Sequence, residues 1–401
     1  MTGDSGISGR ALAAAEVGPD PFGVDVPPAA DGAALEVAGV AGAATAGWAA
    51  GSWSAHAASP SASSAATVPT TMPRRIPVPL SIPALCRARP PESDTGEDEA
   101  VPGTGGPTRG VRASVWKGGS VTVRVWVNGR LRGDEPSLSA LDHGLTVGDG
   151  AFETLKIVDG EPFAMSRHAE RLDRSLAGLG LPAADHDLIE DGLAAVLGAG
   201  ERIPFGRLRY TVTAGVGPLG SDRSATDSIG LTYVVTAAEQ PRPPKSGAVV
   251  VVPWTRNERS ATAGLKTTSY ADNVVALAFA KQRGGSEAIF GNTRGELCEG
   301  TGSNVFVVVD GTIVTPPADS GALEGITRAL TIDWCREDGL VVEEQALPLD
   351  VLRTADEVFI TSSTRDVFPV HAADDRELPP GSVTARAAKI FAERSAEQRD
   401  P

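Results

Sequence analysis

One lysine in the chain stands in a context that suits covalent chemistry. The sequence has only six lysines among its 36 Lys and Arg residues, and Lys266 is the one in Ala-Gly-Leu-Lys-Thr-Thr-Ser-Tyr (263–270), just before a segment rich in Val and Ala. A lysine against apolar surroundings loses proton affinity, and a neutral amine is what a Schiff-base nucleophile requires. Taken alone, this context also fits a plain surface lysine. The other lysines are expected in the N-terminal tail, in a linker or on solvated faces: Lys117, Lys245, Lys156, Lys281 and Lys389.

Two glycine-containing motifs downstream favour the covalent interpretation. They are Glu-Gly-Thr-Gly-Ser-Asn-Val-Phe at 299–306 and Leu-Glu-Gly-Ile-Thr-Arg at 323–328. The second motif opens a predicted helix, whose free amide groups and positive dipole end suit a phosphate. This spacing resembles the signature of the class IV pyridoxal-phosphate enzymes. Segments at 142–144, 148–154 and 168–172 are also similar to motifs of that group, so the resemblance covers about 121–396 and leaves the first 120 residues without a counterpart.

The resemblance implies a role for each matching residue around pyridoxal 5'-phosphate. Lys266 would form the Schiff base and carry the substrate's α-proton. Glu299 would pair with the protonated ring nitrogen, which keeps the ring able to absorb electrons, and Tyr270 would hydrogen-bond the ring oxygen. The other cofactor-binding residues that it implies are Arg171, Gly325, Ile326, Thr327 and Ser363 at the phosphate, Ser303, and Asn304 as a brace of the site. Phe152 and Arg209 are expected at the substrate.

Each of these residues has an ordinary alternative. Glu299 fits a loop carboxylate facing water, Tyr270 fits a core aromatic, and Arg171 fits a solvated helix charge. A non-enzymatic binding protein with the same fold would be expected to lack at least one of Lys266, Glu299 and Arg171. All three are present, and the sequence therefore predicts an enzyme.

The elements that must position these residues follow from hydrophobic periodicity and turn signals. Strands are predicted at 121–127, 207–213, 231–236, 248–252, 287–290, 304–309, 312–315 and 357–361, and helices at 168–179, 188–197, 271–283, 325–338 and 383–394. The expected fold class is α+β, and the resemblance implies a two-domain, fold type IV enzyme like D-amino-acid aminotransferase. The predicted boundaries are 1–120 for a disordered low-complexity extension, 121–238 for a small N-terminal α+β domain, 239–247 for a Pro-rich linker and 248–396 for a larger cofactor-binding domain.

Composition restricts the partners. A net charge of −15 without a basic patch argues against nucleic acid. The apolar stretch at 37–51 is too short and too rich in Ala and Gly for a membrane span, and no secretory signal is visible, so a cytoplasmic protein is expected. Cys86, Cys298 and Cys335 lie far apart, which favours neither disulfides nor a metal site. The expected partners are a small amino acid and a 2-oxo acid, and the resemblance implies a homodimer.

Three activities within the resembling group stay open. Residues 298–306 are very similar to branched-chain aminotransferases, which predicts amino transfer between a branched-chain amino acid and a 2-oxo acid. Residues 142–144, 152–154 and 207–209 are similar to aminodeoxychorismate lyases, which use the same lysine and release pyruvate and p-aminobenzoate. A D-amino-acid aminotransferase fits less well, because residues 217–223 contain no histidine beside the arginine that would trap the substrate carboxylate.

Overall fold

The computed structural model describes residues 114–115, 122–133, 135–223, 230–379 and 381–401. The extension predicted at 1–120 lies outside the described residues except for strand β1, Ser114–Val115. This strand pairs antiparallel with residues 122–123. Regular structure therefore begins before the predicted boundary at residue 121.

The first part of the described chain forms an antiparallel sheet of seven strands. The order is β1-β2-β7-β6-β4-β5, and β3 pairs with residues 125–127 of β2. Asn128 and Gly129 have positive φ and form the tight turn that joins β2 to β3. The remaining strands are β2 Thr122–Val127, β3 Arg130–Arg132, β4 Gly150–Val158, β5 Glu161–Pro162, β6 Phe205–Thr213 and β7 Thr232–Glu239.

Two helices cover this sheet, preceded by the single turn α1, His143–Thr146. They are α2, Met165–Gly178, and α3, His186–Gly198. Leu172 and Leu176 of α2 and Ile189 of α3 are buried in one core cluster with the inner face of the sheet. This apolar stripe at helical spacing is the reason that the sequence pattern alone located both helices.

The second part of the chain forms a mixed sheet of nine strands. The order is β10-β9-β8-β15-β14-β11-β12-β13, with β16 beside β15. Strand β10 also pairs with β11 through Glu299 and Asn304, so six strands form a closed ring. The strands are β8 Gly247–Arg256, β9 Glu287–Asn292, β10 Leu297–Gly300, β11 Asn304–Val309, β12 Thr312–Thr315, β13 Val342–Glu344, β14 Glu357–Ser362, β15 Asp366–Ala373 and β16 Arg376–Glu377.

Three helices and two 3-10 turns accompany this sheet. They are α4 Ala271–Gln282, α5 Ile326–Glu337 and α6 Ser382–Glu397, with 3-10 turns at Ala318–Ser320 and Leu349–Arg353. Helices α5 and α6 pack on one core cluster that contains the stacked pair Phe306 and Phe359, with ring centroids 4.7 Å apart. Helix α4 packs on a separate cluster around Val250 and Phe290. In the described ranges no helix is both long and apolar enough to cross a bilayer.

All predicted strands and helices that fall on described residues are present, with ends that differ by a few residues. The strands that the sequence did not predict are β1, β3, β4, β5, β10, β13, β15 and β16. Strand β4 was missed because seven of its nine residues are buried, so it lacks the alternation that marks a half-exposed strand. The contacts group residues 100–401 in one unit, and the division of 121–396 into two domains around the linker stays a prediction.

Lys156 was expected on a solvated face, and that expectation was wrong. Its side chain lies in β4 and is 3% exposed. The ammonium group donates to both oxygens of Asp366 at 2.7 and 2.9 Å and lies 4.3 Å from the centroid of the Phe163 ring. Asp366 belongs to β15, so this ion pair joins the two sheets.

Replacing Lys156 with alanine should therefore destabilise the protein more than an ordinary surface substitution. The change removes the partner of Asp366 and the buried aliphatic stem, so we expect the free energy of unfolding to fall by about 2–4 kcal/mol. Lys389→Ala is the matched control, because Lys389 is 73% exposed and its loss should cost less than about 0.5 kcal/mol. Urea unfolding measures both. Equal losses would contradict the buried ion pair.

Candidate active site

The residues that the sequence analysis singled out lie together. All twelve line one cavity of about 730 Å³ between the two sheets: Phe152, Arg171, Arg209, Lys266, Tyr270, Glu299, Ser303, Asn304, Gly325, Ile326, Thr327 and Ser363. They come from both parts of the described chain, and the first and last of them are more than two hundred residues apart in the sequence. A cavity lined by converging polar groups is the usual form of a small-molecule site.

The backbone around Lys266 is fixed by the first sheet. The amide of Phe152 donates to the Lys266 carbonyl at 3.0 Å, and the amide of Thr268 donates to Gly150 at 2.8 Å. The amide of Lys266 itself donates to the hydroxyl of Ser175 in α2 at 3.1 Å. The segment before α4 is thus held as an added strand on the edge of β4, and the direction of the lysine side chain is set.

The amine of Lys266 lies against an aromatic wall. Its Nζ is 3.3 Å from the Tyr270 hydroxyl and 4.5 Å from the centroid of the Phe152 ring. Burial, and then the charge of Arg171, lower the pKa of Lys266 to about 8. Burial and the charge of Glu299 raise the pKa of Tyr270 to about 12, which keeps the phenol protonated. Near neutral pH an appreciable fraction of the amine is therefore uncharged and nucleophilic.

Glu299 faces the same cavity from β10. One carboxylate oxygen accepts from Arg256 Nε at 3.1 Å, and the other accepts from the amide of Leu323 at 3.0 Å. Burial raises the pKa of Glu299, and the Arg256 guanidinium opposes that shift. Arg256 was not singled out from the sequence.

The N-terminus of α5 opens into the cavity. Gly325 is the N-cap and no side chain caps the helix, so the first amide groups are available to an anion. A Cβ at Gly325 would lie 1.9 Å from the Asn304 amide oxygen. Any residue other than glycine at this position would therefore clash with Asn304. Asn304 also donates to the Leu323 carbonyl at 2.7 Å and so braces this turn. The nearby Thr361 hydroxyl is buried without a hydrogen-bond partner.

Arg171 reaches this helix end from α2. Its guanidinium forms a bidentate pair with Glu153, at 2.8 and 2.7 Å, and donates to the Glu324 carbonyl at 3.0 Å. His168 lies 2.6 Å from the same carboxylate. Burial favours the neutral acid, but the charges of Arg171 and His168 outweigh it and hold the pKa of Glu153 at about 2. Glu153 lies in the segment 148–154 that is similar to a family motif, but its ion pair with Arg171 was not predicted.

Two further arginines reach the cavity from β6. Arg209 lies over the Phe152 ring with its guanidinium carbon 3.7 Å from the centroid, and its Nε donates to Thr211 at 3.2 Å. Arg207, two residues earlier on the same strand, also lines the cavity. Among the described residues, neither has a carboxylate within salt-bridge distance.

This donor set fits pyridoxal phosphate. The uncapped end of α5, Arg171 and the unpartnered Thr361 hydroxyl suit a phosphate, and the Glu299 carboxylate suits a protonated ring nitrogen. The Ser303 hydroxyl is less available, because it donates to the buried Glu287 at 3.1 Å. Ser363 lies at the cavity wall as expected.

Comparison with known proteins assigns the family. The profile of the Amino-transferase class IV family matches residues 150–373, which is more than half of the 401 residues. The chain belongs to this family. Membership makes it an enzyme and implies pyridoxal phosphate as the cofactor. The α+β, fold type IV architecture expected from the sequence is confirmed.

Relatives of this class IV enzyme carry three different activities in their names. A protein of Methanocaldococcus jannaschii, provisionally named a branched-chain-amino-acid aminotransferase, is 31% identical over 67% of this chain and 95% of its own. A D-alanine aminotransferase of Bacillus licheniformis is 33% identical over 65% of this chain and 92% of its own. The crystal structure of 4-amino-4-deoxychorismate lyase from Pseudomonas aeruginosa is 28% identical, with a TM-score of 0.59 over 69% of this chain and all of that one.

The depressed pKa of Lys266 can be measured in the ligand-free class IV enzyme. The amine is protonated below its pKa and neutral above it, so the rate of acylation by an amine-reactive reagent should be half-maximal near pH 8. The Lys281 peptide, from an exposed position, is followed in the same samples as the comparison. Mass spectrometry of the labelled peptides at successive pH values compares the two lysines directly. Coincident pH profiles would show that Lys266 is an ordinary surface amine.

Proposed function

We propose that this enzyme transfers an amino group between a branched-chain amino acid and a 2-oxo acid, with pyridoxal phosphate held by Lys266. The observation that carries the proposal is the environment of the lysine. An amine of lowered pKa lies 3.3 Å from the Tyr270 hydroxyl and 4.5 Å from the centroid of the Phe152 ring. The same cavity also contains Glu299 and the open end of α5.

Some of these residues are proposed to bind the cofactor, and Lys266 is proposed to transfer the proton. When bound, the cofactor supplies an electron sink for the pair left at the substrate's α-carbon. Lys266 Nζ is the group placed to take the α-proton and to return it, because a base with a pKa near the working pH serves both directions. Tyr270, protonated and in contact with Nζ, keeps that amine oriented. Arg171 and the first turn of α5 are the proposed phosphate ligands.

The wall beside Lys266 supports an aliphatic side chain on the substrate. Phe152 and Tyr270 meet edge to face with centroids 5.0 Å apart, and Leu265, Leu277 and Ile326 add apolar surface to the cavity. Arg209, next to Phe152, is the proposed ligand of the substrate carboxylate.

The second arginine of β6 favours a second candidate function. A substrate with two carboxylates would use both Arg207 and Arg209, and aminodeoxychorismate has two. The similarity to the Pseudomonas aeruginosa lyase is compatible with this alternative. A D-amino-acid substrate has less support, because Arg223, the arginine of the 217–223 turn, is bonded to Asp149 at 2.7 Å.

Absorbance spectra of the purified holoenzyme separate these candidates. Leucine, isoleucine or valine, added without an oxo acid, should convert the bound cofactor to its aminated form, and 2-oxo acid should reverse the change. Lys266→Ala should lower that rate by at least about 10²–10⁴-fold, because the proton carrier is lost. No response to these amino acids, with pyruvate release from aminodeoxychorismate, would replace the aminotransferase proposal by the lyase. A response to D-alanine alone would favour the third activity.

We further propose that the enzyme is a homodimer. Large apolar side chains are exposed around α1 and the 215–219 turn, which are joined by the Gly217 amide donating to Leu141 at 3.1 Å. Leu145 is 67% exposed and Leu219 is 81% exposed. A contiguous apolar patch of this kind is typical of a surface that another copy covers.

Light scattering coupled to size-exclusion chromatography tests the dimer. The wild type should elute at twice the chain mass, and Leu145→Glu should dissociate it, because a charge would be buried in the contact. Val341→Glu, at an exposed position distant in sequence, should leave the mass unchanged. A monomeric wild type would refute this part of the proposal.

A further inference from the structure

The carboxylate of Glu299 is held by a bonded chain of residues that begins in α4. Asn273 of α4 donates its amide to the Thr301 carbonyl and accepts from Arg256 Nη2 at 2.9 Å. Arg256 then donates from Nε to Glu299 at 3.1 Å. The guanidinium lies over the Phe290 ring, with its carbon 4.1 Å from the ring centroid. The contacts with Asn273 and Phe290 therefore hold the guanidinium in the position from which Nε donates to Glu299.

We propose that Arg256 is a positioning residue that keeps Glu299 ionised and aimed at the ring nitrogen of the cofactor. This inference rests on the proposed function, in which pyridoxal phosphate occupies the cavity and its ring nitrogen faces Glu299. Arg256 itself does not touch the reacting atoms on this proposal. It acts through the carboxylate.

The electrostatic reason is the burial of Glu299. A buried carboxyl group favours its neutral form unless a cation or hydrogen-bond donors stabilise the charge. The amide of Leu323 supplies one donor to Glu299, and Arg256 supplies the full positive charge nearest to it. Without that charge the proton shared between the ring nitrogen and Glu299 would move to the carboxyl group, and the ring would lose its positive charge.

The geometric reason is the planar fork of arginine. Arg256 bonds Glu299 and Asn273 at the same time through two different nitrogens. The single ammonium of lysine has no such fixed pair of directions. Lysine at this position would keep the charge but lose the connection to α4, so the two contributions can be separated by substitution.

The experiment uses the holoenzyme loaded with pyridoxal phosphate that carries ¹⁵N in the ring. The nitrogen resonance distinguishes a protonated ring from a neutral one, whether or not the enzyme turns over. The wild type should show the protonated position at pH 8, and Arg256→Gln should show the neutral position. Arg256→Lys should lie between them. Arg259→Gln is the matched control and should match the wild type, because Arg259 is exposed and its guanidinium approaches Glu258 rather than Glu299.

A second measurement uses an analogue of pyridoxal phosphate in which the ring nitrogen is replaced by C–H. An ionised Glu299 facing carbon is unfavourable, so the wild type should bind the analogue more weakly than the cofactor. In Arg256→Gln this preference should fall by about tenfold for each unit by which the pKa of Glu299 rises. Arg259→Gln should keep the wild-type preference.

The outcomes separate the two proposals. If the wild type binds no pyridoxal phosphate, the proposed function fails together with this inference. If the wild type binds it with a protonated ring, and Arg256→Gln shows the same resonance and the same preference, only the inference about Arg256 is wrong. Should Arg256→Gln fail to fold in thermal unfolding, Arg256→Lys decides: a resonance and a preference equal to those of the wild type overturn the positioning role.

Discussion

The pairing between the Lys266 segment and the edge of β4 is the contact on which the site depends. Lys266 stands just before α4, which packs on the second sheet, yet its backbone is bonded to β4 of the first sheet through Phe152 and Gly150. These bonds bring Phe152, Glu153 and the arginines of β6 to one side of the amine. The closed ring of the second sheet brings Glu299 and the start of α5 to the other side. A backbone contact of a few residues thus decides which side chains share the cavity.

The buried carboxylates around the cavity are each paired with an arginine, and these pairs determine which cations remain free to bind a ligand. Glu153 is paired with Arg171, Glu299 with Arg256, and Glu287 with Arg365. In the described part of the chain, Lys266 and the two arginines of β6 have no carboxylate partner. Leaving cations near a partly buried surface is costly unless an anion arrives. The excess positive charge therefore matches a cofactor and substrates that carry phosphate and carboxylate groups.

The sequence predicted the site residues that lie in short motifs but not those that act through contacts distant in sequence. Lys266, Glu299 and Gly325 belong to short motifs that resemble those of the class IV enzymes, and that resemblance located them. Arg256 acts across 43 positions of sequence to Glu299, and no local pattern marks it among thirty arginines. The prediction for Lys156 was wrong because β4 is buried on both faces. Lysine is normally exposed, and the sequence around it gives no sign that this lysine lies in a buried strand. Long-range ion pairs are set by topology, which periodicity does not report.

On the proposed assignment, the groups for the cofactor and those for the substrate come from different parts of the chain. The groups suited to the cofactor come mainly from the second sheet and from the Lys266 segment, where glycines and buried pairs leave little freedom to change. The proposed substrate ligands Arg207 and Arg209 stand on β6, where Arg207 is exposed and Arg209 is half-buried. Exchanging one cation for an apolar group there alters the number of carboxylates that the site can hold. The cofactor half is unaffected by such a change, so the fold retains its chemistry while the substrate changes.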